Sequence, residues 1–444
     1  MDGRGQKRFS TDLALIGERI ARIGDCSGLE ARQRIDARAL VLAPGFIDVH
    51  AHSEQRLFEP RSSSGSLAQG ITTAIEGACN RSLSAEQAGE LRGSLRLNIA
   101  RVASARREEI ERGACGLSVR FGDTTPSEEA LRVAKDAGIP LVVHLRDRER
   151  ELLAALDEAL ALAHRCEMPL HISHFSYAYG EDRALVHVAL ERIDAHRARG
   201  LPVSCDLFPY IADEAPLAEL FPPTIGSSTR SDETALAAML SARLHYGERW
   251  ERIWLRGVRD ERDLAELGAS IEAIAARRRI SSERAALALF DELGAETPLL
   301  HRCLNEEDVA TILSAEFACI GTADASASFE DDPFRLPHPR AFGTFPRLFS
   351  RFVRVRQTLR LEEAVRRCSA LPARIFGLRD RGEIREGAFA DLVLFDEMTI
   401  ADTATYERPV RAPAGIRAVF VNGTAVHGAP MGEIAYPGRI LEKQ

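Results

Sequence analysis

The chain has 444 residues, 45% of them hydrophobic and 28% charged, which is the composition of an ordinary globular protein with room for a main domain and a smaller one. The formal net charge of −8 argues against nucleic acid and anionic membranes as partners, because neither would attract this surface. The chain has no run of 18 apolar residues and its N-terminus has no signal-peptide core, so we expect a cytoplasmic protein. Homo-oligomerisation stays open.

Strand-like apolar runs alternate with helix-like stretches along most of the chain. An example of the latter is "RERELLAALDEALALAHRC", whose apolar residues recur at helical spacing. The strand-like runs are residues 43–52, 71–79, 114–121, 139–146, 168–175, 202–210, 297–304 and 317–325. Eight strands alternating with helices predict an α/β fold, and they fit a (β/α)8 TIM barrel better than an open sheet.

Shorter alternating segments lie on either side of the predicted barrel. "TDLALIGERIARIG" precedes it, and "FADLVLFD" and "IRAVFVNGTAVHG" follow it, the last with an Asn422-Gly423 hairpin signal. We expect these ends to pair. The prediction is a discontinuous β-sandwich domain formed by residues 1–43 and 379–444, and a barrel domain over residues 44–378.

The stretch "GFIDVHAH" runs an apolar strand into two histidines separated by one residue. Alternate side chains of a strand share a face, so His50 and His52 project to the same side and are able to bind one ion. A lone His-x-His pair also occurs by chance on exposed loops. Because a metal site needs more than two ligands, other parts of the chain have to supply the rest.

The C-terminal ends of the predicted strands carry six side chains of the metal-binding type: His50, His52, Cys79, His144, His174 and Asp324. Each has an ordinary alternative, such as a core histidine, a packed cysteine or a helix-capping aspartate. Strand ends of a barrel converge on the face where active sites are built. Six such residues at five strand ends therefore predict a metal site, whereas the other histidines considered, His171 among them, receive no role.

These residues sit in motifs that resemble the D-aminoacylase (N-acyl-D-amino-acid deacylase) branch of the metal-dependent amidohydrolase superfamily. The supporting stretches are "PGFIDVHAH", "TTAIEGAC", "GACGLS", "HISHF", "GTADAS", "HPRAFGTFPR", "EEAVRRCSALPARIFGLRDRGEIREGAFADLVLFD" and "VNGTAVHG". The resemblance covers nearly the whole chain.

The resemblance implies Zn²⁺ held tightly by Cys79, His144 and Asp324, with a second, weaker position lined by His50, His52 and His174. Cys79 then takes the bridging place of the carbamylated lysine of other amidohydrolases, in agreement with a chain whose only lysines are Lys7, Lys135 and Lys443. Glu76 competes for a supporting role beside the ligands. Zinc would activate a water and polarise the amide carbonyl, and Asp324 would act as the catalytic base and then as the acid.

The chain departs from the family where the substrate carboxylate is held. Ser176 stands at the usual lysine, Phe208 at the first residue of a usual Tyr-Pro-Tyr, and "IADEAPLAEL" after Tyr210 replaces small hydroxyl residues. Arg340 remains as a carboxylate partner. The region 80–113 is also short, and "HAHSE" replaces the usual His-Thr-His-Asp-Asp.

Two functions follow, both hydrolysis of a linear amide. The first is deacylation of an N-acyl-D-amino acid or a related N-acyl compound, which the presence of Arg340 favours. The alternative is cleavage of an amide in a larger peptide, such as the tailoring of a modified natural-product peptide, which the altered carboxylate clamp and the short loop favour. Opening of a cyclic amide is a further alternative. A catalytically silent scaffold is disfavoured, because all six metal-type residues are present.

Overall fold

The computed structural model describes residues 1–53, 56–58, 63–78, 87, 90–91, 93–104, 106–121, 126–178, 182–221, 250–324, 328–330, 332–428 and 434–443. Its strands are β1 Asp12–Ile16, β2 Arg19–Gly24, β3 Val41–Pro44, β4 Phe46–Ala51, β5 Ile71–Glu76, β6 Asn98–Ala103, β7 Gly116–Arg120, β8 Leu141–His144, β9 Leu170–Ile172, β10 Val203–Leu207, β11 Asp213–Pro216, β12 Ile253–Leu255, β13 Pro298–His301, β14 Ala318–Ile320, β15 Leu392–Phe395, β16 Ile416–Val421, β17 Thr424–His427 and β18 Ile440–Leu441.

The α-helices are α1 Ser64–Ala68, α2 Arg107–Glu111, α3 Glu128–Asp136, α4 Leu152–Cys166, α5 Ala184–Ala198, α6 Ile271–Arg278, α7 Ser282–Leu293, α8 Glu306–Ser314, α9 Arg340–Arg347, α10 Leu361–Cys368 and α11 Ala370–Ile375. A π-helical segment, Leu348–Val355, continues α9. In α4, the buried Leu152, Leu156, Ala159 and Ala163 recur every three or four residues, so one face packs on the barrel. In the described part of the chain, no helix is long and apolar enough to cross a membrane.

Eight parallel strands form a nearly closed barrel in the order β4, β5, β6, β7, β8, β9, β10 and β14. The ring is completed between its first and last strands, where a parallel bridge joins Ala51 to Asp324. The His52 amide donates to the Asp324 carbonyl at 3.0 Å, and the Ala323 amide donates to the His50 carbonyl at 2.8 Å. The (β/α)8 prediction is confirmed, and the point of closure carries three of the predicted ligands.

One predicted barrel strand was wrong, and one barrel strand was not predicted. Residues 298–301 are not in the barrel but in an antiparallel three-stranded sheet of order β11-β13-β12, because their apolar side packs against α6 and α7. The barrel strand that was not predicted is β6. Polar residues interrupt its sequence, "NIARVA". Asn98 is nevertheless buried, since its side-chain amide donates to Asp391 at 3.2 Å and its oxygen accepts from Asn422 at 3.0 Å.

The terminal segments meet in two small sheets, β1-β2 and β17-β16-β15-β3. Ile20, Ala388, Ala390 and Leu392 form the buried layer that these sheets share, as the predicted sandwich requires. The chain passes from β3 into the barrel at Gly45, where a Cβ would come within 2.7 Å of the Thr72 side chain, so only glycine fits. The boundaries at 43/44 and 378/379 stay a prediction.

Candidate active site

Five of the six predicted ligands lie together at the C-terminal end of the barrel. His50 is next to last in β4 and His52 follows that strand, while His144 is the last residue of β8. His174 lies two residues beyond β9 and Asp324 four residues beyond β14. Parallel strands bring these positions to one edge although they are far apart in the sequence.

The His50 and His52 side chains face each other. Their Nε2 atoms are 3.1 Å apart, with ring centroids at 4.9 Å and an interplanar angle of 74°. Two nitrogens bound at 2.0–2.1 Å to one tetrahedral ion lie about 3.3 Å apart. The pair therefore has the spacing of two ligands to one ion.

His144 and His174 form a second pair. The Nδ1 atom of His144 lies 2.7 Å from the Nε2 atom of His174, and the His174 ring centroid is 5.1 Å from that of His50. Burial, with the positive charge of Arg148, holds the pKa of His144 well below its ordinary value, and burial with His144 does the same to the pKa of His174. Both imidazoles are thus neutral at neutral pH, which is the form that binds metals.

His174 lies in a left-handed backbone conformation, with φ of +36°. A non-glycine residue there is strained, and the conformation persists only where the surroundings enforce it. The enforcing contact is the His174 amide, which donates to Asp206 Oδ1 at 3.0 Å. In this conformation the His174 ring lies against the rings of His144 and His50.

Asp206, in β10, holds three histidines at once. Its Oδ2 lies 3.0 Å from His171 Nε2 and 3.4 Å from His50 Nδ1, while Oδ1 binds the His174 amide. Burial alone would raise the pKa of Asp206, but His50 and His171 hold that pKa below its usual range. A Cβ on Gly321 would meet both His50 and Asp206 within 3 Å, so the glycine of "GTADAS" makes room for this contact.

Asp48 performs a similar task for the strand that carries the His-x-His pair. Its carboxylate accepts from the Thr322 amide at 2.9 Å, the Thr322 hydroxyl at 2.6 Å and the His50 amide at 3.1 Å. Burial raises the pKa of Asp48 to about 6. Asp48 and Thr322 therefore join β4 to the segment after β14, and so fix His50 relative to Asp324.

The predicted carboxylate partner Arg340, at the start of α9, is engaged by two aspartates. Its Nε donates to Asp324 Oδ2 at 3.3 Å, and another guanidinium nitrogen donates to Asp213 Oδ1 at 2.8 Å. The other oxygen of Asp213 accepts from Arg148 at 3.0 Å. Arg148 also donates to the hydroxyl of Ser176 at 3.0 Å. Ser176, at the position of the family lysine, is thus a partner of a different cation.

Phe208 and Tyr210 are buried on the same side of the barrel. The guanidinium carbon of Arg340 lies 4.7 Å from the Phe208 ring centroid, and the Tyr210 hydroxyl donates to the Pro339 carbonyl at 3.4 Å. His338, which had no predicted role, accepts from the Arg340 amide at 3.0 Å and bonds the Ala212 carbonyl at 3.0 Å. Phe208 therefore packs on the Arg340 guanidinium, while Tyr210 and His338 hold the backbone at the start of α9.

Known proteins resemble the chain over its full length. An amidohydrolase family model matches residues 225–427. An N-acyl-D-glutamate deacylase of Alcaligenes xylosoxydans xylosoxydans is 30% identical over 504 aligned positions, covering 100% of this chain and 95% of that protein. The chain belongs to the D-aminoacylase branch of the amidohydrolase family. A D-aminoacylase of the same organism is 29% identical, covering 100% of this chain and 96% of that protein.

A solved structure agrees with this family. The crystal structure of an N-acyl-D-glutamate deacylase from Bordetella bronchiseptica, complexed with zinc and a phosphonate inhibitor, superposes with a TM-score of 0.82 and 26% identity, covering 99% of this chain and 97% of that one. A structure of a D-aminoacylase with a binuclear metal centre superposes with a TM-score of 0.79 and 26% identity, covering 99% of this chain and 97% of that one. This amidohydrolase is accordingly a metal-dependent hydrolase that acts on carbon–nitrogen bonds.

The donor set of this amidohydrolase fits a borderline divalent metal ion. Four imidazoles and a carboxylate are nitrogen and oxygen ligands typical of zinc. Cys79 lies outside the described residues, and among those residues no three histidine, cysteine or carboxylate side chains form a complete ligand set. The spacing of His50 and His52 and the neutrality of His144 and His174 are the features that suit a metal.

Sequence reasoning missed the residues that support the site. Asp48 and Asp206 sit inside strands whose every residue is buried, and charged residues are almost never fully buried without a partner. A carboxylate within "GFIDV" or "VSCDLF" is therefore a signal that could have been used. Glu76, which the sequence analysis did name for a supporting role, is fully buried as well, and its Oε2 accepts from the Ser53 amide at 2.7 Å. His171 received no role in the sequence analysis, yet its ring makes a shorter contact with the Asp206 carboxylate than the ring of His50 does.

Proposed function

We propose that this protein is a zinc-dependent amidohydrolase that removes the acyl group from an N-acyl-D-amino acid or a related N-acyl compound by hydrolysing a linear amide bond. The observation that carries the proposal is the grouping of four imidazoles and Asp324 at the C-terminal end of the barrel. Relatives named N-acyl-D-glutamate deacylase, D-aminoacylase and N-acyl-D-aspartate deacylase support the substrate class.

The proposed ligands fall into two sets. Cys79, His144 and Asp324 would hold one zinc ion tightly, and His50, His52 and His174 would line a second, weaker position. Thiolate, imidazole and carboxylate are ligands that zinc accepts. When bound, zinc supplies Lewis acidity to the scissile carbonyl and acidifies a water molecule.

Asp324 is the proposed catalytic residue for proton transfer. The oxygen of water adds to the acyl carbon while Asp324 takes a proton from that water, and Asp324 then gives the proton to the nitrogen as the carbon–nitrogen bond breaks. Arg340 orients the Asp324 carboxylate through its 3.3 Å hydrogen bond. The backbone hydrogen bond from the His52 amide to the Asp324 carbonyl holds Asp324 next to the segment that carries the His-x-His pair.

The direct test offers zinc-loaded full-length protein a panel of N-acetyl-D-amino acids, their L-enantiomers and N-acylated peptides, with amine release followed by mass spectrometry. Chelator-treated protein is the control. We expect amine release from one D-configured class, lost on chelation and recovered with zinc. Protein that holds stoichiometric zinc but releases no amine from any member of the panel would contradict the proposal.

A further inference from the structure

Beside the candidate active site, the carboxylate of one aspartate is shared by two arginines. We call these three residues the arginine bridge: Arg148, Asp213 and Arg340. Asp213 Oδ1 lies 2.8 Å from Arg340 and Oδ2 lies 3.0 Å from Arg148. The Asp213 side chain is 16% exposed and that of Arg340 is 7% exposed. The two oxygens of Asp213 thus occupy, one each, the guanidinium groups that a ligand carboxylate would use.

The arginine bridge borders the proposed chemistry directly. Arg340 binds Asp324 through Nε, and Arg148 binds the hydroxyl of Ser176, whose own hydroxyl donates to the His174 carbonyl at 3.3 Å. The carboxyl carbon of an α-amino acid is two bonds from its nitrogen. A leaving nitrogen that receives a proton from Asp324 therefore brings the group on its α-carbon within reach of Arg340.

The two guanidinium groups already have anionic partners in the described part of the chain. Arg148 and Arg340 share the carboxylate of Asp213, and Arg340 also faces Asp324. Burial opposes ionisation of Asp213, but Arg148 and Arg340 hold its pKa below the usual range, so it stays charged. Glu214, next in the chain, lies 3.5 Å from Arg335 and so has a cationic partner of its own. A free carboxylate entering here would have to displace Asp213 and would face like charges.

We propose that Asp213 is a specificity-determining residue that disfavours substrates with a free α-carboxylate, and that this amidohydrolase prefers N-acyl amino acids whose carboxyl group is itself in an amide. A carboxamide complements the arginine bridge, because its N–H can donate to Asp213 and its carbonyl can accept from Arg340. The inference rests on the proposed function, since it places the amine side of the substrate at Asp324. A simple amide and a peptide share this chemistry.

The test compares matched pairs in wild-type protein and in Asp213→Asn, which keeps the shape of the side chain but removes its charge. One pair is an N-acetyl-D-amino acid and its primary amide, and a third arm extends the amide into an N-acetyl-D-aminoacyl-glycine. We expect kcat/KM of the wild type to favour the amide by roughly 10- to 100-fold, the effect of one or two charge-assisted hydrogen bonds. Asp213→Asn should move the ratio toward the acid by a similar factor. The third arm separates small amides from peptides.

A binding measurement keeps the inference testable without turnover. Calorimetric titration of full-length protein with a free D-amino acid and with its amide should show affinity for the amide in the wild type, and new affinity for the acid in Asp213→Asn. The double variant Asp213→Asn/Arg148→Gln removes the surplus positive charge and should again reject the acid. If the single variant folds poorly, the double variant provides a protein without the excess positive charge in the arginine bridge.

The outcomes separate the two proposals. Zinc-loaded protein that releases no amine but binds the amide in preference to the acid would contradict the proposed function and support the role of Asp213. Wild-type protein that binds or hydrolyses the acid at least as well as the amide, with no change of the ratio in either variant, would overturn the inference. Failure of either protein to bind acid or amide would overturn it as well.

Discussion

Two groups of side chains lie near Asp324: the histidine cluster, formed by His50, His52, His144 and His174, and the arginine bridge. The fold holds them in different ways. His50 and His144 lie within barrel strands, and Asp206 and Asp48 fix the cluster through buried hydrogen bonds. The arginine bridge instead joins a loop residue, the first residue of β11 and the first residue of α9. The proposed metal ligands are thus carried largely by rigid barrel strands. The residues proposed to select the substrate lie in loops or at the starts of elements that follow the strands, as is common in barrels.

This contrast predicts two kinds of variant. A change in the histidine cluster or its supports should reduce metal binding or turnover of every substrate alike. A change in the arginine bridge should alter the ranking of substrates while metal content stays constant. The predictions that follow run from the largest expected effect to the smallest.

The largest effect is expected from Asp324→Ala. Removing the proton acceptor should lower kcat by about 10²- to 10⁴-fold, which is the contribution of a positioned acid–base group. Circular dichroism should show a folded protein, because the backbone bonds of Asp324 to β4 do not need its side chain. The exposed Asp194→Asn is the matched control and should keep wild-type activity. Undiminished hydrolysis by Asp324→Ala would remove this residue from the catalytic role.

The next effect concerns Asp206, which supports the cluster without belonging to the proposed ligands. Asp206→Asn should weaken zinc affinity by about 10- to 100-fold, as loss of a carboxylate partner of a ligating histidine does elsewhere. Zinc content after dialysis against graded chelator, measured by inductively coupled plasma mass spectrometry, checks this. Asp157→Asn is the control, because this aspartate is half-exposed on the helix α4 and pairs with Arg192. Equal zinc retention in all three proteins would show that Asp206 does not support a metal site.

A smaller and different effect is expected from Ser176→Ala, which removes a side chain bound to Arg148 of the arginine bridge. The variant loses one neutral-to-charged hydrogen bond to Arg148, so the ratio of amide to acid turnover should change by roughly 10-fold or less. Zinc content should equal that of the wild type, in contrast to Asp206→Asn. A fall in zinc content with an unchanged substrate ranking would mean that the division between cluster and bridge is wrong.

The smallest effect concerns the sheet that positions Asp213. His301 pairs with Asp213 across β11 and β13, and burial lowers the pKa of His301 to about 4. Its unfolded pKa is about 6.5, so the unfolded state takes up the proton first as pH falls. Stability should therefore be lost between about pH 6.5 and pH 4, by about 1–2 kcal/mol after allowance for partial exposure. Denaturant unfolding of wild type and His301→Gln over this range measures it, and parallel pH curves would contradict it.

The sequence was informative where side-chain identity and strand position coincide. Apolar runs that end in histidine or aspartate predicted the barrel and the cluster at its mouth, because parallel strands necessarily converge there. The strand β6 was missed, since its polar Asn98 contacts residues roughly 300 positions away, and β13 was misplaced because an apolar run does not reveal which layer buries it.

The arginine bridge was beyond sequence reasoning for a related cause. Arg148 and Asp213 are 65 residues apart, and Asp213 and Arg340 are 127 residues apart, so only the folded chain brings them together. The family comparison drew attention to Ser176 and Phe208 as departures, but not to Arg148 or His338. A lost lysine is visible in a sequence, whereas the charge balance of its neighbourhood is a property of the fold.

The central claim is that the strand-end cluster is a zinc site. Anomalous X-ray diffraction from crystals of zinc-loaded protein, recorded above and below the zinc absorption edge, tests it most directly. We expect an anomalous difference peak at about 2.0–2.3 Å from imidazole nitrogens of the histidine cluster or from the Cys79 thiolate, next to the Asp324 carboxylate. A fully zinc-loaded crystal whose peak lies away from His50, His144 and Asp324 would contradict it.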